Sequence, residues 1–262
     1  IRMPVLGLGT YKTPGGPVVE KAVRTALEAG YRSIDTAALY DNEKGVGRAL
    51  RQSRLGRGEV FITTKIWNSD QGYHKTIRAF EKSRMNLDTD YVDLYLIHWP
   101  VMGEYHGTWR AMEELLEKGQ VRSIGVSNFM IHHLEDLMRE ASVAPMLNQF
   151  ELHPCLYQTE LVSFCRDNGI AVEGWAPLMR GRLNDDPLIM ELAEKYGRTT
   201  SQVLIRWALE HGFVTIPKSV TPARIIENSL VFDFSISKED VVRIDSLDRR
   251  ERTGPDPDNF NF

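Results

Sequence analysis

Short apolar runs and amphipathic stretches alternate along almost the whole chain, and this alternation is the feature that most constrains the fold. Most apolar runs are compact, rich in β-branched or aromatic residues, and bounded by Gly, Asp, Asn or Pro, which is typical of buried strands. The stretches between them carry apolar residues at three- and four-residue spacing, which predicts helices. We predict strands at 4–9, 33–36, 60–66, 92–98, 123–127, 147–152, 171–176 and 214–217, and helices at 18–29, 73–86, 108–118, 131–140, 160–167, 188–196 and 200–210.

Eight such alternations predict a closed arrangement of parallel strands. Parallel strands need crossover connections, which are usually helices, and eight units in 262 residues are what a (β/α)8 TIM barrel requires. The competing fold, an open doubly wound sheet, is marked by a Gly-x-Gly-x-x-Gly turn after its first strand, and here that turn reads GLGTYKTPGG. We therefore predict an α/β fold, a (β/α)8 barrel, with residues 1–262 as a single domain because no linker divides them.

Charge and cysteine content exclude several classes of partner. The formal net charge of −4 and the isoelectric point near 6.0 predict no binding to nucleic acid. No apolar stretch approaches the length of a membrane span, so we expect no membrane association. Cys155 and Cys165 are the two cysteines of the chain, which argues against a disulfide scaffold and suits the cytoplasm. We expect a monomer.

Polar residues at the carboxyl ends of barrel strands indicate chemistry, whereas those at the opposite ends indicate stability. Asp35 ends the second predicted strand, and Tyr40 follows in the next loop. Lys65 lies near the end of the third strand and His98 near the end of the fourth. Because consecutive strands are neighbours in a barrel, we expect these four catalytic candidates in one sector of its mouth.

A phenol beside an ammonium group is a candidate general acid. A free phenol titrates at about 10, and a nearby positive charge favours the phenolate and lowers that pKa. We expect Lys65 to lower the pKa of Tyr40, and Asp35 to hold Lys65 in its charged form. His98 would donate to a carbonyl oxygen. Taken singly, these residues fit a solvated salt bridge, a packing tyrosine and a structural histidine, but together on three successive strands they favour catalysis.

Seven stretches, in order along essentially the whole chain, resemble those of the aldo-keto reductase family. They read GLGTY, GYRSIDTAALYDNEKGVG, TTKIWN, YVDLYLIHWP, IGVSNF, NQFELHP and IPKS. The likeness is to short-looped microbial and protozoan members, which reduce small aldehydes and ketones such as methylglyoxal, diketogluconates or prostaglandin-type carbonyls. The resemblance implies an NADPH-dependent oxidoreductase in which Tyr40 donates the proton and Asp35, Lys65 and His98 occupy the matching supporting positions.

The hydride for such a reduction must come from a cofactor, because no side chain supplies one. Ser127, Asn128 and Gln149 offer hydroxyl and amide partners for a carboxamide, and Trp175 offers a flat face for a nicotinamide ring. Alternatively, Asn128 and Gln149 satisfy loop backbone and Trp175 is core. The predicted cofactor-binding residues are Gly9, Thr10, Ser127, Asn128, Gln149, Trp175, Pro177, Leu178, Lys218, Ser219, Val220, Arg224, Glu227 and Asn228, with Glu227 and Asn228 resting on the resemblance alone.

The stretch IPKSVTPARIIEN predicts an anion site after the eighth strand. Thr221 suits an N-cap and Pro222 the first helical position, and a helix N-terminus there is suited to phosphate. Lys218 and Arg224 flank it and would bind the 2′-phosphate of NADPH, although each alone also fits a solvated charge.

The remaining expectations concern the substrate-binding residues and whether the site holds a metal. Tyr11, Trp67, Asn68 and Trp99 should surround the pocket near Tyr40 as substrate-binding residues. The short segment 101–108 and the short tail after Gly254 imply, by analogy with longer-looped relatives, an open and permissive pocket. We expect no metal, since the adjacent His132 and His133 should not both face one ion and His153-Pro154-Cys155 lacks a ligand spacing.

Two other functions fit parts of the pattern. A non-catalytic NADPH-binding redox sensor would bind the cofactor with negligible turnover. A Schiff-base lyase would use Lys65 as its nucleophile, since barrels also host lysine nucleophiles. The neighbouring Asp35 favours a permanently charged Lys65, which argues against the lyase.

Overall fold

The computed structural model describes residues 2–260 and 262, and its centre is a sheet of eight parallel strands. The strands follow chain order, and each pairs with the next, which agrees with the predicted α/β alternation. They are β1 (Leu8–Gly9), β2 (Ser33–Asp35), β3 (Phe61–Ile66), β4 (Leu94–Ile97), β5 (Ile124–Ser127), β6 (Leu147–Glu151), β7 (Ala171–Trp175) and β8 (Val214–Thr215).

The two ends of this strand order are also joined. Parallel bridges connect Leu6 with Thr215 and Gly9 with Lys218, and the amide of Gly7 donates to the Thr215 carbonyl at 2.9 Å. Regular pairing in β1 and β8 is shorter than predicted. A contributing reason is that Pro217, in the predicted extension of β8, has no N–H to donate to a ladder.

Helices connect the strands and lie against the sheet. They are α1 (Pro17–Glu28), α2 (Glu43–Gln52), α3 (Tyr73–Leu87), α4 (Tyr105–Glu117), α5 (Ile131–Glu140), α6 (Thr159–Asp167), α7 (Pro187–Tyr196), α8 (Thr200–Glu210), α9 (Pro222–Ser229) and α10 (Lys238–Asp245). Helix α10 was not predicted from the sequence, although Ser237 caps it by accepting from the amide of Asp240. Within the described chain, none of these helices combines the length and apolarity needed to cross a bilayer.

Strand periodicity decides which side chains face the functional site. Ile62, Tyr95 and Ile97 pack in the large core between sheet and helices, whereas Phe61, Leu94 and Leu96 belong to a separate small cluster on the other face. Because side chains alternate along a strand, residues 63 and 65 share the face of Phe61, and residue 98 continues that of Leu96. This inner face carries the polar residues described next.

Candidate active site

Lys65 is the centre of a buried charged group on the inner face. Its Nζ donates to both carboxylate oxygens of Asp35, at 2.7 and 2.8 Å, and to the Thr36 carbonyl at 3.0 Å. The same Nζ lies 3.4 Å from the hydroxyl oxygen of Tyr40, which ends a short 3₁₀ turn after β2. Lys65 and Asp35 are both buried, while Tyr40 is partly exposed at the mouth.

The environment of these groups corrects one expectation. Burial raises the pKa of Tyr40 to about 12, and the opposing effect of Lys65 is smaller. The predicted net lowering is therefore wrong, because removing the phenolate from water outweighs the nearby positive charge. Burial alone would lower the pKa of Lys65, but the charge of Asp35 and its hydrogen bond raise it, so the amine stays charged.

His98 lies beside Tyr40 as a neutral imidazole. The two ring centroids are 5.7 Å apart with an edge-on geometry, and Trp67 packs against the other side of the imidazole. Burial, followed by the charge of Lys65, lowers the pKa of His98 well below its ordinary value. The imidazole therefore has one N–H to donate, not two.

Glu173, which was not among the residues predicted from the sequence, extends the hydrogen-bonded group across the inner face. Gln149 donates from one amide nitrogen to Asp35 at 2.9 Å and to Glu173 at 2.7 Å. Glu173 is fully buried, and burial together with the charge of Asp35 raises its pKa to about 8. The sequence did contain a signal for Glu173: it lies two residues before Trp175 in β7, so the two side chains share one face of the strand.

The raised pKa of Glu173 predicts a pH-dependent stability. The protonated carboxyl stabilises the fold fully below about 4.5, and this contribution is lost as pH rises through about 8. Glu173→Gln mimics the protonated form, so its melting temperature relative to wild type should rise between pH 5 and about 8. Thermal unfolding across this range measures the difference, and a difference independent of pH would contradict the assignment.

Side-chain hydrogen bonds join Ser127, Asn128 and Trp175, three of the residues predicted to contact the nicotinamide end of the cofactor. Trp175 donates from its indole nitrogen to the Asn128 side-chain oxygen at 2.9 Å. The Asn128 amide nitrogen donates to the His98 carbonyl at 2.9 Å and to the Ser127 hydroxyl at 3.1 Å. Asn128 also has a left-handed backbone with φ of 63°, a conformation that is uncommon outside Gly and frequent at functional sites.

The remaining predicted cofactor residues lie at the same ends of the strands. A Cβ on Gly9 would lie 2.7 Å from the Ile216 carbonyl oxygen, so only Gly permits this approach of β1 to the segment after β8. Thr10 donates to the Asp35 carbonyl at 2.9 Å. Pro177, Leu178, Ser219 and Val220 belong to the segments after β7 and β8.

The predicted anion site begins α9. Lys218 and Arg224 are exposed on either side of Pro222, the first residue of that helix. Thr221 occupies the N-cap position but its side chain makes no cap bond; instead its amide donates to the Ser219 hydroxyl at 3.1 Å. Further along the helix, Asn228 is buried and Glu227 accepts from the Thr199 hydroxyl at 2.9 Å.

Aromatic side chains surround the mouth at Tyr40 and His98. The Tyr11 ring lies 5.0 Å from that of Tyr40, and the Trp67 ring lies 5.2 Å from that of His98. Trp99 follows His98 directly in the chain and is buried. These aromatic residues were predicted from the sequence, whereas Phe260 and Phe262 of the tail were not. No periodic signal marks an irregular segment, so only long-range packing reveals them.

These tail phenylalanines extend the aromatic wall. Phe262 stacks on Trp67 with centroids 5.7 Å apart, and Phe260 lies 5.1 Å from Trp99. Asn68 donates to the Phe262 carbonyl at 3.1 Å. The wall therefore combines loops after β3 and β4 with the end of the chain, and the predicted openness of the pocket stays a prediction.

Glu151, also missed, fastens the start of this tail. It is buried at the end of β6 and accepts from the Thr253 amide at 2.7 Å, from the Thr253 hydroxyl, and from the Gly254 amide at 3.2 Å. Burial would raise the pKa of Glu151, but hydrogen bonds from His153 and Thr253 lower it overall. The carboxylate therefore stays charged and holds the tail against the mouth.

The structure corrects the expectation for His132 and His133. Their rings lie 4.0 Å apart, and each, with Asp258, offers a ligand atom within 4.8 Å of the others. Adjacent helical residues point about 100° apart, but the long side chains of the first turn of α5 converge on the tail. The two imidazoles therefore do face one point.

Comparisons with known proteins agree with this architecture. The Aldo/keto reductase family model matches residues 5–249. Glyoxal reductase of Bacillus subtilis (strain 168) is 51% identical over 262 residues, covering 100% of this chain and 95% of the relative. Methylglyoxal reductase DkgA of Salmonella typhimurium is 48% identical over 262 residues, covering 98% and 94%.

A solved structure provides the third comparison. The crystal structure of a Gox0644 mutant in complex with NADPH has a TM-score of 0.94 and 46% identity, covering 99% of this chain and 95% of that one. Family match, relatives and fold all extend over nearly the whole chain. This chain therefore belongs to the aldo/keto reductase family.

Proposed function

We propose that this protein reduces aldehydes and ketones to alcohols with NADPH, and that Tyr40 is the general acid. The observation that carries the proposal is the position of the Lys65 ammonium, which is bonded to buried Asp35 and lies 3.4 Å from the Tyr40 hydroxyl. NADPH, when bound, supplies the hydride for the carbonyl carbon. The protein's own residues must then bind the carbonyl and deliver a proton to its oxygen.

Each residue of the group has one task in that proton transfer. Tyr40 donates its proton to the oxygen as that oxygen gains negative charge. The Lys65 ammonium stabilises the phenolate that remains, which is needed because burial otherwise disfavours it. Asp35 keeps Lys65 charged and fixed. Neutral His98 donates its single N–H to the same carbonyl oxygen and orients it.

The residues at the other strand ends fit a dinucleotide. Ser127, Asn128 and Trp175 bring hydroxyl, amide and indole groups together near His98. The Gln149 amide adds a further polar group beside Asp35. Exposed Lys218 and Arg224 at the start of α9 would hold the 2′-phosphate, since a guanidinium and an ammonium complement a phosphate monoester. The other cofactor candidates named above complete this proposed binding surface.

The phosphate assignment predicts a change of cofactor preference. Hydrogen bonds between charged groups contribute about 1.5–3 kcal/mol each, so Lys218→Ala with Arg224→Ala should weaken NADPH about 100-fold or more. NADH lacks the extra phosphate, and its affinity should change by less than about threefold. Calorimetric titration of both nucleotides checks this, with Lys75→Ala/Arg78→Ala on exposed positions of α3 as the control. Equal losses for NADPH and NADH would overturn the assignment.

Small dicarbonyl compounds are the proposed substrate class. Two relatives are named for glyoxal and methylglyoxal, and the aromatic wall of Trp67, Trp99 and Phe262 leaves a polar centre at Tyr40 and His98. Loss of NADPH absorbance with a panel of dicarbonyls, sugars and quinones tests the proposal. Oxidation of NADPH by small dicarbonyls is the expected result. Tight NADPH binding without turnover of any compound would instead favour the redox-sensor alternative.

The lyase alternative fits the site less well. A Schiff base needs a neutral amine, and the raised pKa of Lys65 keeps it charged. The sensor alternative has no observation in its favour, because the proton-donating group of Asp35, Tyr40 and Lys65 is assembled for chemistry.

The finer features of the fold belong to the same proposal. The bridges between β1 and the β8 segment support closure of the sheet into a (β/α)8 barrel. We also propose one domain over residues 1–262 and an active monomer, since one chain supplies every residue of the proposed site. The two buried free cysteines support a reducing compartment, the cytoplasm.

A further inference from the structure

Outside the proposed catalytic group, two imidazoles and a carboxylate converge where the tail crosses the start of α5. The Nε2 of His132 lies 3.3 Å from the Asp258 carboxylate oxygen, and the Nε2 of His133 lies 4.0 Å from the same oxygen. Ligand bonds of about 2.0–2.2 Å in a tetrahedral zinc site separate the donor atoms by roughly 3.3–3.5 Å. The spacing between His132 and Asp258 already matches this range, whereas the His133 nitrogen must move closer, and all three donor atoms lie within 4.8 Å of one another.

We propose that His132, His133 and Asp258 form a Zn²⁺ site, with water as the fourth ligand. Imidazole nitrogen and carboxylate oxygen are ligands that zinc commonly takes, and three protein ligands with one water is a known arrangement. His132 and Asp258 are exposed, so the ion can enter from solvent. The third ligand, His133, is buried, and burial restricts the motion of its side chain.

Zinc binding has a defined consequence at the start of α5. The backbone amide of Met130 now donates to Nδ1 of His133 at 3.2 Å. Coordination through Nε2 requires a free electron pair on that nitrogen, so the neutral ring must carry its proton on Nδ1. The hydrogen bond from Met130 is then lost in exchange for the metal bond. This tautomer change is a specific signature of the site.

The site would also fasten the C-terminal tail at a second point. Glu151 already holds Thr253 and Gly254, and buried Pro257 directly precedes Asp258. Phe260 and Phe262 follow within four residues and pack on Trp99 and Trp67. Zinc would therefore stabilise the aromatic wall of the pocket and, through it, substrate binding. The effect on substrate binding rests on the proposed function, but metal binding does not.

Calorimetric titration of the tag-free full chain with ZnCl₂ tests the site. We expect one Zn²⁺ per chain, and at least about tenfold weaker binding in His132→Ala and in Asp258→Asn, since each removes one ligand. His74→Ala, at an exposed histidine of α3, should bind zinc like wild type. Absence of binding by wild type, or wild-type affinity in His132→Ala and Asp258→Asn, would overturn the proposal.

Two spectroscopic measurements test the ligands and the tail independently of enzyme activity. Nitrogen NMR of the histidine rings should show the His133 proton moving from Nε2 to Nδ1 when zinc is added. Hydrogen exchange of segment 255–262 should slow with zinc in wild type but not in Asp258→Asn. Zinc binding that leaves both signals unchanged would overturn the site, whereas a failed proposed function would leave these results intact.

Discussion

Tyr40→Phe is expected to lower kcat for carbonyl reduction by about 10²–10⁴-fold, the usual contribution of a general acid. The substitution removes the hydroxyl that lies 3.4 Å from the Lys65 ammonium, but it keeps the ring and its packing against Tyr11 and His98. NADPH affinity should remain nearly unchanged, because the predicted nucleotide contacts come from other strand ends. Steady-state kinetics with a small dicarbonyl and a nucleotide titration measure the two effects.

A matched control separates this effect from the loss of any tyrosine hydroxyl. Tyr91 precedes β4 at the opposite end of the sheet, with its ring between the guanidinium groups of Arg57 and Arg122. Tyr91→Phe should therefore leave kcat within a small factor of wild type. Wild-type kcat in Tyr40→Phe would remove the general-acid assignment.

Asp35→Ala is expected to lower the free energy of unfolding by about 3–5 kcal/mol, the usual result of removing one partner of a buried ion pair. Lys65 would lose its buried counter-charge, so its amine must either carry an uncompensated charge or give up its proton, and both cost free energy. The Thr36 carbonyl would be its main remaining hydrogen-bond acceptor. Gln149 would also lose an acceptor. Denaturant unfolding monitored by fluorescence measures the change, and reductase activity should fall with it.

A double variant tests the cause of this destabilisation. In Asp35→Ala/Lys65→Met the uncompensated charge is gone, so the protein should be more stable than Asp35→Ala although it carries more changes. Activity should not return, because no ammonium remains beside Tyr40. As a control, Glu191→Ala breaks an exposed pair with Arg243 and should leave stability nearly unchanged. A double variant less stable than Asp35→Ala would contradict the explanation.

The site was predictable from sequence where it depends on strand periodicity. Asp35, Lys65 and His98 fall at the carboxyl ends of three successive apolar runs, and alternation along each strand places them on the inner face. The contacts of Lys65 with Asp35 and Tyr40 follow once those strands are neighbours. Local patterns were sufficient here because strand order and chain order coincide.

Other parts of the site depend on contacts that no local pattern encodes. Gln149 reaches Asp35 across 114 positions of the chain, and Thr253 reaches Glu151 across 102. As adjacent residues of a helix, His132 and His133 are expected to point in different directions. Only the tertiary structure shows that both side chains lie beside Asp258 of the tail. Such contacts arise only when distant segments pack together.

The amino-acid sequence by itself determined the alternating strands and helices, the family of the chain and the residues placed at the mouth, because periodicity and strand-end chemistry are local properties. Only the tertiary structure decided the ionisation of those residues and the path of the tail. Tyr40 has a raised pKa because the surrounding fold removes water from it. Phe262 reaches Trp67 because β4 to β8, which lie between their positions in the chain, pack so that both residues meet at one end of the sheet.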